Sequence, residues 1–100
     1  MVAQTESSIV YGLGVALTEL ITIKNGIVEQ NNFYDYRVPR MKDVPMMHVE
    51  VIQTDNHPTG AGQMATPLVA PAIASAFAEL TGKRLRQTPF TPERVKAALG

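Results

Sequence analysis

The sequence predicts an α+β fold, with a small antiparallel or mixed sheet that contains a β-hairpin, two main helices packed on that sheet, and a short C-terminal helix. Two periodicities support this prediction. Apolar and polar residues alternate at 20–30 and 46–53, as in strands, whereas 6–20 and 67–81 have helical spacing. The length of 100 residues predicts a single domain over residues 1–100.

Composition and charge narrow the function classes. Apolar residues make up 45% of the chain and charged residues 18%, which is typical of globular proteins. Nine basic residues balance nine acidic ones, so we expect neither nucleic acid nor a membrane surface as partner. The absence of cysteine excludes disulfides and protein-ligated iron–sulfur clusters in this chain. We find no signal pattern and no apolar run of membrane-spanning length, so the cytoplasm is the default expectation.

The first predicted element is a helix over residues 6–20. Ser7 or Ser8 is placed to cap it. Gly12 and Gly14 each cost up to about 1 kcal/mol relative to alanine in a helix interior. We expect another backbone to pass close to them. The apolar face consists of Ile9, Leu13, Ala16, Leu17 and Leu20.

A β-hairpin is the clearest local signal. Two alternating stretches flank Asn25-Gly26, and this dipeptide is typical of a type I′ turn because both central residues need a positive φ. The alternation predicts a buried face made of Ile21, Ile23 and Ile27.

The stretch from residue 31 to 44 is irregular and rich in aromatic residues. Phe33, Tyr34 and Tyr36 either pin this loop to the sheet or line a pocket or an interface together with nearby arginines. The sequence leaves both interpretations open.

A third strand is predicted over residues 46–53, with His48 pointing outward. His57 follows in a turn. Two histidines nine residues apart, without a set of carboxylates at metal spacing, do not predict a metal site.

A glycine loop then leads into the second main helix. Gly60 and Gly62 suit either a structural turn or a loop that binds an anion at a helix N-terminus. Thr66 is predicted to cap the helix, with Pro67 at its first position, and Gly82 to end it in the left-handed conformation. Ile73, Phe77 and Leu80 recur at helical spacing along it. The same threonine-proline device at Thr91-Pro92 predicts the last helix.

Several short motifs follow one another in a single register from about Gln4 to Phe90. They are Gln4-x-Glu6, Ile9, Gly12-Leu13, the hairpin 21–30 with 32–36, Gly60-x-Gly62, Thr66-Pro67, Ala70-Pro71-Ala72 and Thr81-Gly82-Lys83-Arg84. This ordered set resembles the C-terminal part of the large subunit of the molybdenum hydroxylases, which include xanthine dehydrogenases and aldehyde oxidoreductases. Within that family it is similar to the isoquinoline 1-oxidoreductase β-subunit type.

The resemblance implies that the chain completes the second molybdopterin-binding domain, beside molybdenum on a molybdopterin cytosine dinucleotide. It implies two partners, the remainder of the molybdenum-binding subunit and an iron–sulfur subunit. It places Gln4, Gly60, Ala61, Gly62 and Gln63 at the cofactor. The family has a glutamate as general base where this sequence has Gln63, and an amide forms hydrogen bonds but has no usable basicity.

Two classes of function remain open at this point. The chain is either a piece of a molybdenum hydroxylase that is inactive and free of molybdenum alone, or a non-catalytic binding or assembly module, which Gln63 favours. A separately encoded piece, an excised domain and a degenerate remnant are equally compatible with the sequence. An unrelated α+β binding domain requires the motif matches to be accidental. If the chain is a domain piece, we expect self-association through bare apolar surface on 70–78 and at the rings of 33, 34 and 36.

Overall fold

A computed structural model describes residues 1–100. In chain order the elements are α1 (Val2–Leu17), β1 (Ile23–Lys24), β2 (Ile27–Val28), a 3₁₀ turn (Met41–Asp43), α2 (Thr66–Thr81) and α3 (Pro92–Leu99). Three helices and one two-stranded antiparallel sheet confirm the α+β class in outline. The helices α1 and α2 pack chiefly on each other, so the predicted packing of both helices on the sheet is wrong. No helix combines the length and apolar character needed to cross a membrane.

Helix α1 begins earlier than its apolar periodicity predicts. It starts at Val2, so Ser7 and Ser8 lie inside the helix and the prediction that one of them caps it is wrong. The Ser8 hydroxyl instead donates to the carbonyl of Thr5 at 2.8 Å. The helix ends at Leu17, and Leu20 is exposed outside it.

The two long helices come closest at Gly12 of α1, which has no side chain. A Cβ on Gly12 would lie 2.6 Å from the carbonyl oxygen of Thr66 and 2.6 Å from Cγ2 of Val69. The expected close passage of another backbone is therefore confirmed at Gly12. At Gly14 the nearest neighbours are the side chains of Glu19 and Pro39 instead.

The core is small. Only six residues are buried: Ser8, Gly12, Gly14 and Ala16 on α1, and Pro89 and Phe90 in the segment before α3. The amide of Phe90 donates to the carbonyl of Ala16 at 2.6 Å, which ties that segment to the end of α1.

The hairpin turn forms as predicted. Asn25 has φ 52° and Gly26 has φ 76°, both positive as a type I′ turn requires. Ile23 pairs with Val28. The predicted buried face is wrong, however, because Ile23 and Ile27 are 69% and 70% exposed and no helix covers the hairpin.

No third strand forms over residues 46–53. Residues 46–54 make no backbone hydrogen bond within the chain, so the prediction that this segment joins the hairpin is wrong. His48 is exposed as expected, and its Nε2 lies 2.9 Å from Oε1 of Glu50.

Helix α2 begins without a side-chain cap. Ala65 is the N-cap residue, and Thr66 uses its hydroxyl to bond Ser8 on α1 rather than to cap its own helix, so that prediction is wrong. The left-handed stop at Gly82 is confirmed by its φ of 74°. No residue of α2 is buried: Ile73 and Phe77 are half-buried, whereas Leu80 is 85% exposed.

The cap of α3 is confirmed. The Thr91 side chain accepts from the amide of Arg94 at 3.4 Å, and Pro92 opens the helix. The Arg94 guanidinium donates to the carbonyls of Thr88 and Pro89, which fixes the chain that enters α3.

Candidate cofactor-binding loop

The candidate site is the glycine loop, residues 58–65, which leads into α2. Both glycines in it are exposed, and a Cβ added to Gly60 or Gly62 would meet nothing within 4 Å. Neither has a positive φ. The chain's own packing therefore does not require glycine at these positions, and the loop backbone stays open to close approach by another group.

The glycine loop carries free hydrogen-bond donors. The amides of residues 59–66 donate to no group in the chain. Helix α2 starts with neither a capping side chain nor an acidic residue in its first turn. Because a helix N-terminus has unpaired N–H groups and a partial positive charge, this end of α2 suits an anionic group.

A groove of about 460 Å³ runs beside the glycine loop. It is lined by Gly60, Ala61 and Met64, by Met1, and by residues from 51 to 59. The start of α1 and the glycine loop are thus brought together.

The two predicted glutamines lie at the same end of the helix pair. Thr66 bonds to Ser8 at 3.0 Å. Gln4 precedes Ser8 by about one helical turn, and Gln63 precedes Thr66 by three residues. Both side chains are exposed, neither forms a hydrogen bond in the chain, and neither lines the groove. The structure therefore places Gln4 and Gln63 at the same end of the helix pair without joining them.

The aromatic loop is fixed at one of its three rings. The Tyr36 hydroxyl donates to Glu19 at 2.6 Å, and this bond raises the pKa of Tyr36 above its usual range. Phe33 and Tyr34 are 66% and 78% exposed, so they pin nothing within this chain. A cavity of about 450 Å³ lies between Phe33, Tyr36 and the base of the hairpin.

Two residues that hold this loop in place were not predicted from the sequence. Glu19 accepts from Tyr36, and the Thr18 hydroxyl donates to the carbonyl of Arg37 at 2.9 Å. Their partners lie 17 and 19 residues away, and no periodic signal marks such a pairing. Within the loop, Asp35 accepts from the amides of Asn31 and Asn32 at 3.0 Å, and these bonds hold its pKa below the usual range.

Comparisons with known proteins identify the class. Residues 1–45 match a family model described as a molybdopterin cofactor-binding domain. The β-subunit of isoquinoline 1-oxidoreductase from Brevundimonas diminuta is 40% identical over 90 residues, which is 90% of this chain and 12% of that protein. The chain is similar to a segment of the large, molybdopterin-binding subunit of the molybdenum hydroxylases.

Further relatives agree with this class. A putative xanthine dehydrogenase molybdenum-binding subunit of Escherichia coli K12 is 34% identical over 92 residues, covering 84% of the chain and 12% of that protein. The crystal structure of quinoline 2-oxidoreductase from Pseudomonas putida 86 matches with a TM-score of 0.85 and 22% identity. The match covers 97% of this chain and 14% of the quinoline 2-oxidoreductase chain, and it supports the fold. The chain spans about one eighth of the length of the relatives it matches.

Proposed function

We propose that this chain contributes the glycine loop to the cofactor site of a molybdenum hydroxylase, and that alone it carries neither molybdenum nor hydroxylase activity. The observation that carries the proposal is the glycine loop itself, open at Gly60 and Gly62 and set beside the start of α1. The relatives are named as subunits, so we propose as partners the remainder of the molybdenum-binding subunit and an iron–sulfur subunit.

The donor set of the glycine loop fits a phosphate-bearing pterin. Its backbone amides are unpaired, its side chains include no carboxylate, and the exposed amides of Gln4 and Gln63 can donate and accept hydrogen bonds. Gly60, Ala61 and Gly62 leave the backbone accessible to a bulky group. We therefore propose the cytosine dinucleotide form of molybdopterin, whose pyrophosphate is anionic, as the ligand of this loop.

When bound, such a cofactor supplies the redox chemistry of substrate hydroxylation. The chain's own contribution is binding and orientation. Gln63 can hold a polar group by hydrogen bonds, but its amide cannot take up a proton near neutral pH. Proton abstraction at this position therefore requires a carboxylate, and the chain has the amide of Gln63 there instead.

Metal analysis and a chimeric subunit test the proposal. The purified chain should contain no stoichiometric molybdenum and show no turnover of an aldehyde or N-heterocycle. The chimera replaces the 90 matched residues of the Brevundimonas protein with this chain. It should retain molybdenum, and Gln63→Glu should raise its turnover about 10²–10⁴-fold, the usual contribution of a general base.

The control variant is Gln87→Glu, which makes the same chemical change at an exposed glutamine outside the glycine loop. It should leave turnover of the chimera unchanged. Stoichiometric molybdenum with turnover in the purified chain would overturn the proposal and make Gln63 part of an unconventional active site.

A second candidate function is a non-catalytic binding or assembly module. The presence of Gln63 at the position of the family base favours it. The chimera separates the two candidates, because in an assembly module Gln63→Glu should restore no turnover even when molybdenum is retained.

A further inference from the structure

Residues 46–54 present a continuous row of unpaired backbone groups. All nine residues have an N–H, and none of these groups forms a hydrogen bond with another backbone group or a side chain. The only polar contact in the segment joins the side chains of His48 and Glu50. Such a row is what an isolated strand offers to another strand.

The side chains of this segment follow the geometry of a strand. His48 and Glu50, two residues apart, meet on one exposed face, as alternating side chains of a strand do. Met47 and Val49, which alternate with these two residues, are half-buried, whereas Met46 is fully exposed. Val49, Val51 and Ile52 are β-branched and favour a pleated, paired backbone.

The exposed area of the chain shows how much surface lacks a cover. The chain exposes 8022 Å², whereas a compact monomer of its 10.9 kDa exposes about 5,600 Å². Its radius of gyration is 16.2 Å, against about 13 Å for a compact chain of this length. The excess of about 2,400 Å² is roughly three times what one partner buries in a standard interface and lies in the range of obligate ones.

We infer that residues 46–54 form a β-strand by adding to an exposed sheet edge on the part of the molybdenum-binding subunit outside these 100 residues. This inference rests on the proposed function. Strand addition pairs the free backbone groups, which gives affinity, while the alternate side chains fill pockets on the partner. The matched relatives have about seven eighths of their length outside the aligned segment, which supplies a partner of sufficient size.

A second copy of the chain is a less suitable partner for residues 46–54. Pairing two copies through residues 46–54 would leave the exposed hairpin and the outer face of α2 without cover. The excess exposed area therefore points to a larger covering surface than one strand of an identical chain.

Hydrogen–deuterium exchange on the full chain tests the inference. The partner is the Brevundimonas protein from which the 90 matched residues have been deleted. In the chain alone, amides 46–54 should exchange without protection. In the complex the amides that face the partner, every second one along 46–54, should exchange roughly 100-fold or more slowly, as for amides paired in a sheet.

Substitution of Val51 provides the matched pair. Neighbouring N–H groups point to opposite edges of a strand, so either Val51→Pro or Ile52→Pro removes a paired backbone donor and should abolish protection of the segment, whereas Val51→Thr keeps both the donor and the branched shape and should preserve it. Protection that survives both proline substitutions would overturn the inference.

Three other results would overturn it. If the complex forms while amides 46–54 stay unprotected, strand addition is wrong and the proposed function stands. Protection that rises with concentration in the chain alone assigns the segment to a second copy. Failure of the two polypeptides to associate removes the partner, and molybdenum content of the chimera then decides the proposed function separately.

Discussion

The hydroxyl of Thr66 donates to the carbonyl of Ser8 at 3.0 Å, which joins the first residue of α2 to the middle of α1. The two residues are 58 positions apart, and the bond forms next to the close approach of the helices at Gly12. Because the glycine loop ends at residue 65, this bond also fixes where the loop stands relative to α1. The position of the candidate site therefore depends on the packing of the two helices.

Removing this bond should loosen the helix pair. Thr66→Val keeps the shape but deletes the donor, and we expect the free energy of unfolding to fall by about 1 kcal/mol, the usual net value of one hydrogen bond. Urea denaturation followed by helical circular dichroism measures it. Thr59→Val, at an exposed threonine without hydrogen bonds, is the control. Equal losses in the two variants would show that the bond to Ser8 contributes nothing.

The close approach at Gly12 makes a second prediction. Gly12→Ala gains up to about 1 kcal/mol of helix propensity but inserts a methyl group 2.6 Å from the Thr66 carbonyl oxygen. That carbonyl belongs to the backbone and cannot swing aside, so overpacking should cost about 1–3 kcal/mol, and after the gain in helix propensity we expect a net destabilisation of about 2 kcal/mol at the upper end. The same denaturation assay measures it.

Gly62→Ala is the matched control for Gly12→Ala, because a Cβ there meets nothing within 4 Å. It should change stability little. If Gly12→Ala proves stabilising, the two helices lie farther apart in solution than the 2.6 Å approach requires.

The hairpin turn should be sensitive at Gly26. Its φ of 76° is unfavourable for a residue with a Cβ, so Gly26→Ala should cost about 1–2 kcal/mol locally. The hairpin is exposed, and each of its strands has only two residues. The cost should therefore appear as loss of pairing between Ile23 and Val28 rather than as global unfolding. Nuclear Overhauser contacts between these two residues measure it. Retention of those contacts at full strength would contradict the type I′ geometry.

Acid titration should open the loop at Asp35. Its carboxylate accepts from the amides of Asn32 and Asn31, which favour the charged form and hold the pKa below 3.8. A depressed folded pKa means that the stabilisation is present above the unfolded pKa and is lost as pH falls through the folded one. The amide shifts of Asn31 and Asn32 should therefore move with a midpoint below 3.8. Asp35→Asn should remove the transition, and a midpoint above 3.8 would contradict the bonding.

The sequence predicted the features that short segments determine by themselves. The Asn25-Gly26 turn, the stop at Gly82 and the cap at Thr91 all depend on residues within one or two turns, and all three form. The predictions that failed depend on distant partners. The isoleucines of the hairpin are exposed because no layer covers them, and residues 46–53 stay unpaired because no strand edge reaches them.

The glycine loop likewise has one feature that local sequence predicted and one that depends on a distant partner. Its position before α2 could be predicted from the spacing of Gly60, Gly62 and Thr66. The role of Thr66 could not be predicted, since its hydroxyl donates to a carbonyl 58 residues away instead of capping its own helix. A residue type typical of caps therefore proved to be the connection between α1 and α2.

The last prediction concerns self-association through side-chain patches. Two sets of apolar side chains are bare: the rings of Phe33 and Tyr34, and Leu68 and Leu80 near the two ends of α2, which are 64% and 85% exposed. Exposed patches of this kind favour association, so we expect the average mass of the chain to rise with concentration in light scattering. Leu80→Gln should lower that rise, while Glu79→Gln, its exposed polar neighbour, should not. A strict monomer at high concentration would show that these surfaces do not bind one another.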